Sequence, residues 1–118
     1  LAAAVASAQD YVGVFTAAFF ASAQGPVFNE IAPRVHNSGH WTIEGAATSQ
    51  FENHIRAICG LEQIPLKKIS NAKMTNLIGD QISGYRNLTQ FKENEFFFDY
   101  LKKEIKEKRK MGHITTLV

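Results

Sequence analysis

Residues 29–41 read Asn-Glu-Ile-Ala-Pro-Arg-Val-His-Asn-Ser-Gly-His-Trp, and this short span holds a carboxylate, an arginine, two histidines and two asparagines beside Pro33 and Gly39. Proline and glycine hold a loop in a defined shape, so the polar groups around them stand at set positions. Glu30 can bind a divalent cation through oxygen, and Arg34, four residues on, can fork onto a carboxylate or phosphate. His36 and Asn37 add directional donors and acceptors, a set suited to a small anion such as bicarbonate. An ordinary polar loop that satisfies its own backbone would also look hydrophilic, but the density of chemistry here favours a site.

The flanking elements must position these groups. Tyr11 to Phe20 mixes aromatic and β-branched residues and reads as a strand. A polar turn at Ala23-Gln-Gly25 leads into a second apolar run, Pro26 to Ile31, so the pair reads as an antiparallel hairpin with Glu30 near the end of its second arm. Upstream, residues 1–9 are alanine-rich and helix-prone, with Asp10 ending the run. Downstream, Ser49-Gln-Phe-Glu52 has the capping-box pattern of a helix start, Phe51, Ile55 and Ile58 share one face with Leu61 just beyond, and Gly60 supplies the stop. His54 beside that stripe reads as a boundary histidine satisfied by a hydrogen bond. Gln63 to Ala72 reads as a connection, Lys73 to Ile78 as a strand ending at Gly79-Asp80, and Gln81 to Glu95 as a loop or short broken helix.

The last third admits two readings. On pattern alone Phe96 to Lys110 is a helix, with Lys103–Glu107 and Glu104–Lys108 pairs spaced for charge contacts. Six of the thirteen basic residues fall between Lys102 and Lys110. Glu104 and Glu107 interrupt that run and no aromatic residues interleave with it, so it does not describe a nucleic-acid surface.

With 118 residues, 45% hydrophobic and 20% charged, the chain has an ordinary globular composition. Its net charge of +2 argues for neither nucleic acid nor membrane as a partner. Cys59 is the only cysteine, which excludes an intrachain disulfide and fits a reducing, cytoplasmic setting. The apolar opening Leu-Ala-Ala-Ala-Val-Ala-Ser-Ala is too short for a membrane span and lacks the basic leader of a signal peptide.

The long ordered run Asn29 to Thr42, together with Thr48-Ser-Gln-Phe-Glu-Asn-His-Ile-Arg-Ala-Ile58, Met74-Thr-Asn-Leu-Ile-Gly79 and Arg109-Lys-Met-Gly-His113, resembles the C-terminal portion of the 5-carboxyaminoimidazole ribonucleotide synthase family. These are ATP-grasp ligases of purine biosynthesis, related to the ATPase part of phosphoribosylaminoimidazole carboxylase. The resemblance implies an α+β fold: residues 1–59 as the C-terminal part of an ATP-grasp domain, and 60–118 as a small β-rich C-terminal domain. It implies ATP and Mg2+ as cofactors, 5-aminoimidazole ribonucleotide and bicarbonate as substrates, preceding N-terminal and ATP-grasp segments, and a homodimer.

It also implies residue roles. Asn29 and Glu30 would face ATP, with Glu30 on the metal; Arg34, His36 and Asn37 would be catalytic at bicarbonate or carboxyphosphate. Lys103 and Arg109 would hold the ribonucleotide phosphate, with Lys102 a rival to Lys103. Two strands around a turn near Glu107-Lys108 replace the helix that the pattern suggests. The family's second metal-binding glutamate falls, without a gap, on Ala18. A methyl group coordinates nothing, so the alternative expectation is a noncatalytic remnant or isolated domain that binds a phosphorylated nucleotide or a protein partner.

Overall fold

The computed structural model describes residues 10–118; the helix expected over residues 1–9 lies outside them. Strand β1 (Thr16–Phe20) pairs antiparallel with β2 (Val27–Ala32) around a turn in which the Gly25 N–H donates to the Ser22 carbonyl. The first strand starts later than its composition suggests. Ahead of it the Val14 N–H donates to His54 Nδ1 at 3.1 Å and the Tyr11 hydroxyl bonds the Val14 carbonyl, so this backbone is used before it can join a ladder. His54 is thus the hydrogen-bonded boundary residue expected of it.

A single 3-10 turn (Asn37–Gly39) and the short helix α1 (Thr42–Gly45) lead to α2 (Gln50–Ile58). Ser49 caps α2, its hydroxyl accepting from the Glu52 N–H at 3.1 Å. Glu52 does not return the bond as in a full capping box; it pairs with Arg56 one turn on. Gly60, at φ +67°, closes the helix with its N–H on Ala57 and the Leu61 N–H on Arg56, the paired bonds of a Schellman stop. The apolar stripe of α2 faces outward: Phe51, Ile55, Ile58 and Leu61 are all exposed.

The connection that follows folds back on α1, where the Ile69 N–H reaches the Gly45 carbonyl and Ala46 bridges Lys68. Strands β3 (Ala72–Ile78), β4 (Glu95–Asp99) and β5 (Lys110–Leu117) form an antiparallel sheet in the order β3-β5-β4. Helix α3 (Gln81–Arg86) covers one face, where Leu77, Ile82, Met111 and Ile114 make the buried core with Tyr85, Phe91 and Phe97 against it.

The helix suggested by pattern over residues 96–110 does not form. Its first part is β4, its last residue opens β5, and Leu101 between them has φ +54°, which no right-handed helix accommodates. Alternation wins because Phe97 packs on Tyr85 and Phe91 while Phe98 stacks on the opposite face against His113. The expected pairs Lys103–Glu107 and Glu104–Lys108 give way to an exposed Lys106–Glu104 contact. The two strands and the turn at residues 107–108 agree with the family resemblance. The fold is α+β, as expected.

Candidate functional site

The site begins on β2. Ala18 stands directly across from Glu30, and Phe19 across from Phe28, so Asn29 is the extra residue of a β-bulge. Bulges bend a strand and re-aim its side chains, and they recur beside active sites. Glu30 and Asn29 are both exposed. The cross-strand position that would offer Glu30 a second carboxylate carries the Ala18 methyl, and among the described residues no cluster of three His, Cys, Asp or Glu side chains could hold a metal. The hairpin therefore supplies one carboxylate with the Asn29 amide next to it, a set that would serve Mg2+ only with phosphates and water as further ligands.

After Ala32 the chain leaves the sheet, and Gln50 takes over its support. The His36 N–H donates to Gln50 Oε1 at 2.9 Å, and Gln50 Nε2 donates back to the His36 carbonyl at 2.7 Å. A single side-chain amide thus grips the backbone at two points, and its Nε2 also lies 2.9 Å from His40 Nδ1. A Cβ at residue 39 would sit 2.5 Å from Gln50 Oε1, which explains the glycine there. Thr42 completes the support, its hydroxyl donating to the Gly39 carbonyl and accepting the Gln50 N–H. In the sequence Gln50 was visible only as a helix-start residue; nothing local marks it as the clamp.

Within the loop the Ser38 N–H donates to His36 Nδ1, so neutral His36 carries its proton on Nε2. Arg34 is exposed and, among the described residues, its side chain hydrogen-bonds only the Val35 carbonyl, at 3.0 Å, leaving most of its fork open. Asn37 turns the other way, toward the C-terminal sheet. Its Nδ2 donates to Asn76 Oδ1 at 2.6 Å and its Oδ1 accepts from Lys110 Nζ at 3.2 Å.

Tyr100 sits in a cluster of rings. His40 stacks on Phe51 and on His113, and His113 stacks on Phe98 with their planes 5° apart. Burial holds the Tyr100 hydroxyl above its ordinary pKa. Burial first, and the neighbouring His36 and Lys110 next, lower that of His40. His113 is 1% exposed, and burial, then His40, push its pKa down to about 4, so it is neutral near pH 7.

Lys102 lies with its ammonium 5.3 Å from the Tyr100 ring centroid and bonded to the Lys110 carbonyl at 2.6 Å. Lys103 is exposed, as is Arg109, whose backbone carbonyl receives the Gly79 N–H at 2.9 Å. Of the basic residues expected to hold a phosphate, Lys102 is thus the one seated against the site loop's supports. A separate cleft of about 250 Å³ is lined by uncharged groups, among them Val14, Trp41, Gln50 and Leu66, and offers an anion no cation.

The ATP-grasp domain matches residues 1–51 and the phosphoribosylaminoimidazole carboxylase C-terminal domain matches residues 72–118. N5-carboxyaminoimidazole ribonucleotide synthase of Vibrio parahaemolyticus is 46% identical over 94% of this chain and 29% of that protein. The chain belongs to the N5-carboxyaminoimidazole ribonucleotide synthase family, as a C-terminal portion.

The synthase of Bacillus subtilis is 40% identical over 98% of the chain and 30% of its own length. Among solved structures, the phosphoribosylaminoimidazole carboxylase ATPase subunit of Aquifex aeolicus superposes with a TM-score of 0.86 at 38% identity, over 99% of this chain and 36% of that one. The Aspergillus clavatus synthase in complex with ADP and 5-aminoimidazole ribonucleotide gives 0.78 at 39% identity, over 90% of this chain and 30% of that one. The chain spans about a third or less of the synthase-family relatives named here. No helix of the described residues is long and apolar enough to cross a membrane.

Proposed function

We propose that this chain is the C-terminal part of a cytoplasmic ATP-dependent ligase that carboxylates 5-aminoimidazole ribonucleotide with bicarbonate by way of carboxyphosphate. The observation that carries the reading is the loop of residues 34–37, clamped by Gln50 on one side and the C-terminal sheet on the other, with Arg34 open to solvent. Such a loop can hold a small anion in fixed geometry, and an arginine that gains contact as charge develops stabilises the transition state.

In this reading Arg34 and His36 Nε2–H face bicarbonate or carboxyphosphate. Asn37, whose amide is engaged by Asn76 and Lys110, contributes by holding the loop. Lys102 and Arg109 take the ribonucleotide phosphate, arginine by its fork and lysine as a point charge, with Lys103 at the rim. Asn29 and Glu30 face ATP, and Mg2+ when bound would neutralise phosphate charge, with Glu30 as this chain's one carboxylate beside it. We place the boundary of the ATP-grasp portion near residues 59–60, where Gly60 ends α2. The outward stripe of that helix then meets the body of the ATP-grasp domain.

Replacing Arg34 with Ala in the full-length protein is expected to abolish bicarbonate-dependent ATP hydrolysis and leave the melting temperature within a degree or two, because among the described residues its exposed side chain hydrogen-bonds one carbonyl. Near-normal turnover would remove Arg34 from the mechanism. A second reading, a noncatalytic domain, rests on Ala18 facing Glu30 across the hairpin. Ala18→Glu separates the two: recovered turnover from an inactive parent marks a disabled ligase, and no recovery marks a domain with another use.

A further inference from the structure

Gln50 grips the backbone of a residue proposed to face the anion. His36 is extended, with φ −131° and ψ 151°, so its own N–H and C=O point to one side, as in a strand residue that exchanges two bonds with a partner. Gln50 is 8% exposed and meets both groups: Oε1 accepts the His36 N–H at 2.9 Å, and Nε2 donates to the His36 carbonyl at 2.7 Å. The side-chain amide thus stands in for a strand neighbour. The peptide whose N–H it holds also carries the Val35 carbonyl, which accepts from Arg34 Nη1 at 3.0 Å. A peptide group is planar, so fixing one end of it fixes the other.

The backbone also fixes the direction of each bond. An N–H can only donate and a carbonyl can only accept, so the Gln50 oxygen faces the His36 N–H and its nitrogen faces the His36 carbonyl. The second Nε2 proton is left for His40 Nδ1, 2.9 Å away, and that ring nitrogen must accept it. His40 is then neutral with its proton on Nε2, since a proton on Nδ1 would set two donors against each other. Burial first, then His36 and Lys110, lower the His40 pKa and favour the neutral ring. The ring is held between Phe51 of α2 at 5.4 Å and His113 of β5 at 5.1 Å. An acceptor seated on the C-terminal sheet therefore orients the amide that holds the loop.

We propose that Gln50 and His40 are positioning residues for the anion loop: Nδ1 of neutral His40 orients the Gln50 amide, and that amide sets the peptide between Val35 and His36 from which the Arg34 and His36 side chains reach the anion. The kinetic part of this inference rests on the ligase reading above; the structural part does not.

Gln50→Met removes both bonds and keeps an unbranched side chain of similar size and helix propensity; the Ser49 cap and the bond from the residue 50 N–H to Thr42 do not depend on the amide. In the full-length protein the expected result is amide exchange at His36 faster by about tenfold, with exchange at Ile114 in the central strand β5 unchanged. Turnover should fall about ten- to a hundredfold while KM for the ribonucleotide moves less than about twofold. His40→Phe keeps a ring between Phe51 and His113 but removes the acceptor, and should show the same pattern at about three- to tenfold. The double variant should be no worse than Gln50→Met. His40→Asn, whose Oδ1 restores an acceptor near Nδ1, should recover the His36 protection and most of the turnover.

Nitrogen-15 shifts of His40 in the unaltered protein are expected to show protonation on Nε2 alone at pH 7. Protonation on Nδ1 overturns the inference, as does unchanged His36 exchange in Gln50→Met. Exchange that quickens equally at His36 and Ile114 also overturns it, because Gln50 would then serve general stability. If Gln50→Met does not fold, the nitrogen shifts and the two His40 variants decide, and equal His36 exchange in His40→Phe and His40→Asn overturns the proposal. A protein with no bicarbonate-dependent turnover removes the ligase reading, while exchange and nitrogen shifts still judge the clamp.

Discussion

The two faces of the β3-β5-β4 sheet are built from alternate residues of the same strands and do opposite work. On one face Leu77, Ile114 and Phe97 meet Ile82 and Tyr85 of α3, an apolar contact with no polar side chain at its centre. On the other face Asn76, His113 and Phe98, cross-strand neighbours in register, meet Asn37, His40 and Tyr100. His113 is as deeply buried there as the apolar core, while its neighbours are part-exposed and surround it with hydrogen bonds and stacked rings. Apolar contact is tolerant of small shifts and holds the sheet together. A network of directional bonds specifies one arrangement and loses value if any member moves. The contrast separates the half of the domain that provides stability from the half that provides geometry.

Ile82→Ala should break the apolar face most strongly. The side chain is fully buried, and such truncations cost about 2–5 kcal/mol, read as a lower denaturant midpoint with an unchanged slope. If the faces are as distinct as described, exchange at Gly39 and His40 in the folded protein stays as it was. Parallel loss on both faces would dissolve the distinction.

Acid should act on the polar face. His113 stays neutral in the folded protein down to about pH 4, while in the unfolded chain it protonates near its ordinary value of 6.5. Between these values the unfolded state binds the extra proton, so stability falls as pH drops from about 6.5 to 4, by up to about 3 kcal/mol. Urea titrations across that window in the unaltered protein and in His113→Asn measure the effect, and the slope should lessen in the variant. An equal slope would assign the acid sensitivity elsewhere. Glu44, whose carboxyl burial pushes up, takes its proton more readily in the folded state, so it adds stability as pH falls and opposes this slope.

The smallest effect should come from the link between β4 and the turn region. Leu101 is 81% exposed at φ +54°, a conformation that costs a residue with a Cβ about 1 kcal/mol and glycine almost nothing. Leu101→Gly is expected to raise the melting temperature by a few degrees, and to steady Lys102 next to it. A drop would mean that the leucine makes contacts that outweigh its strain.

Much of this was legible along the chain. The helix start at Ser49 and its stop at Gly60 depend on bonds within one or two turns, so local residues suffice to locate them. The hairpin and β3 were marked by β-branched and aromatic runs between turn residues. The loop of Arg34, His36 and Asn37 announced itself by composition, since few structural demands assemble those groups in so short a span.

What composition left out was contact between distant segments. Helical spacing over residues 96–110 was real, yet Phe97 and Phe98 found partners on opposite sides of a sheet and those contacts prevailed. Gln50 became the clamp of the loop because α2 starts beside His36, and Asn37 met Asn76 and Lys110 across 39 and 73 residues of chain. Sequence by itself determined the local stops and the inventory of reactive groups, because each depends on neighbours in the chain, and family resemblance supplied the α+β class. Tertiary structure alone decided which of those groups stay open to solvent and which hold the loop, because a hydrogen bond is directional and its partner can come from anywhere.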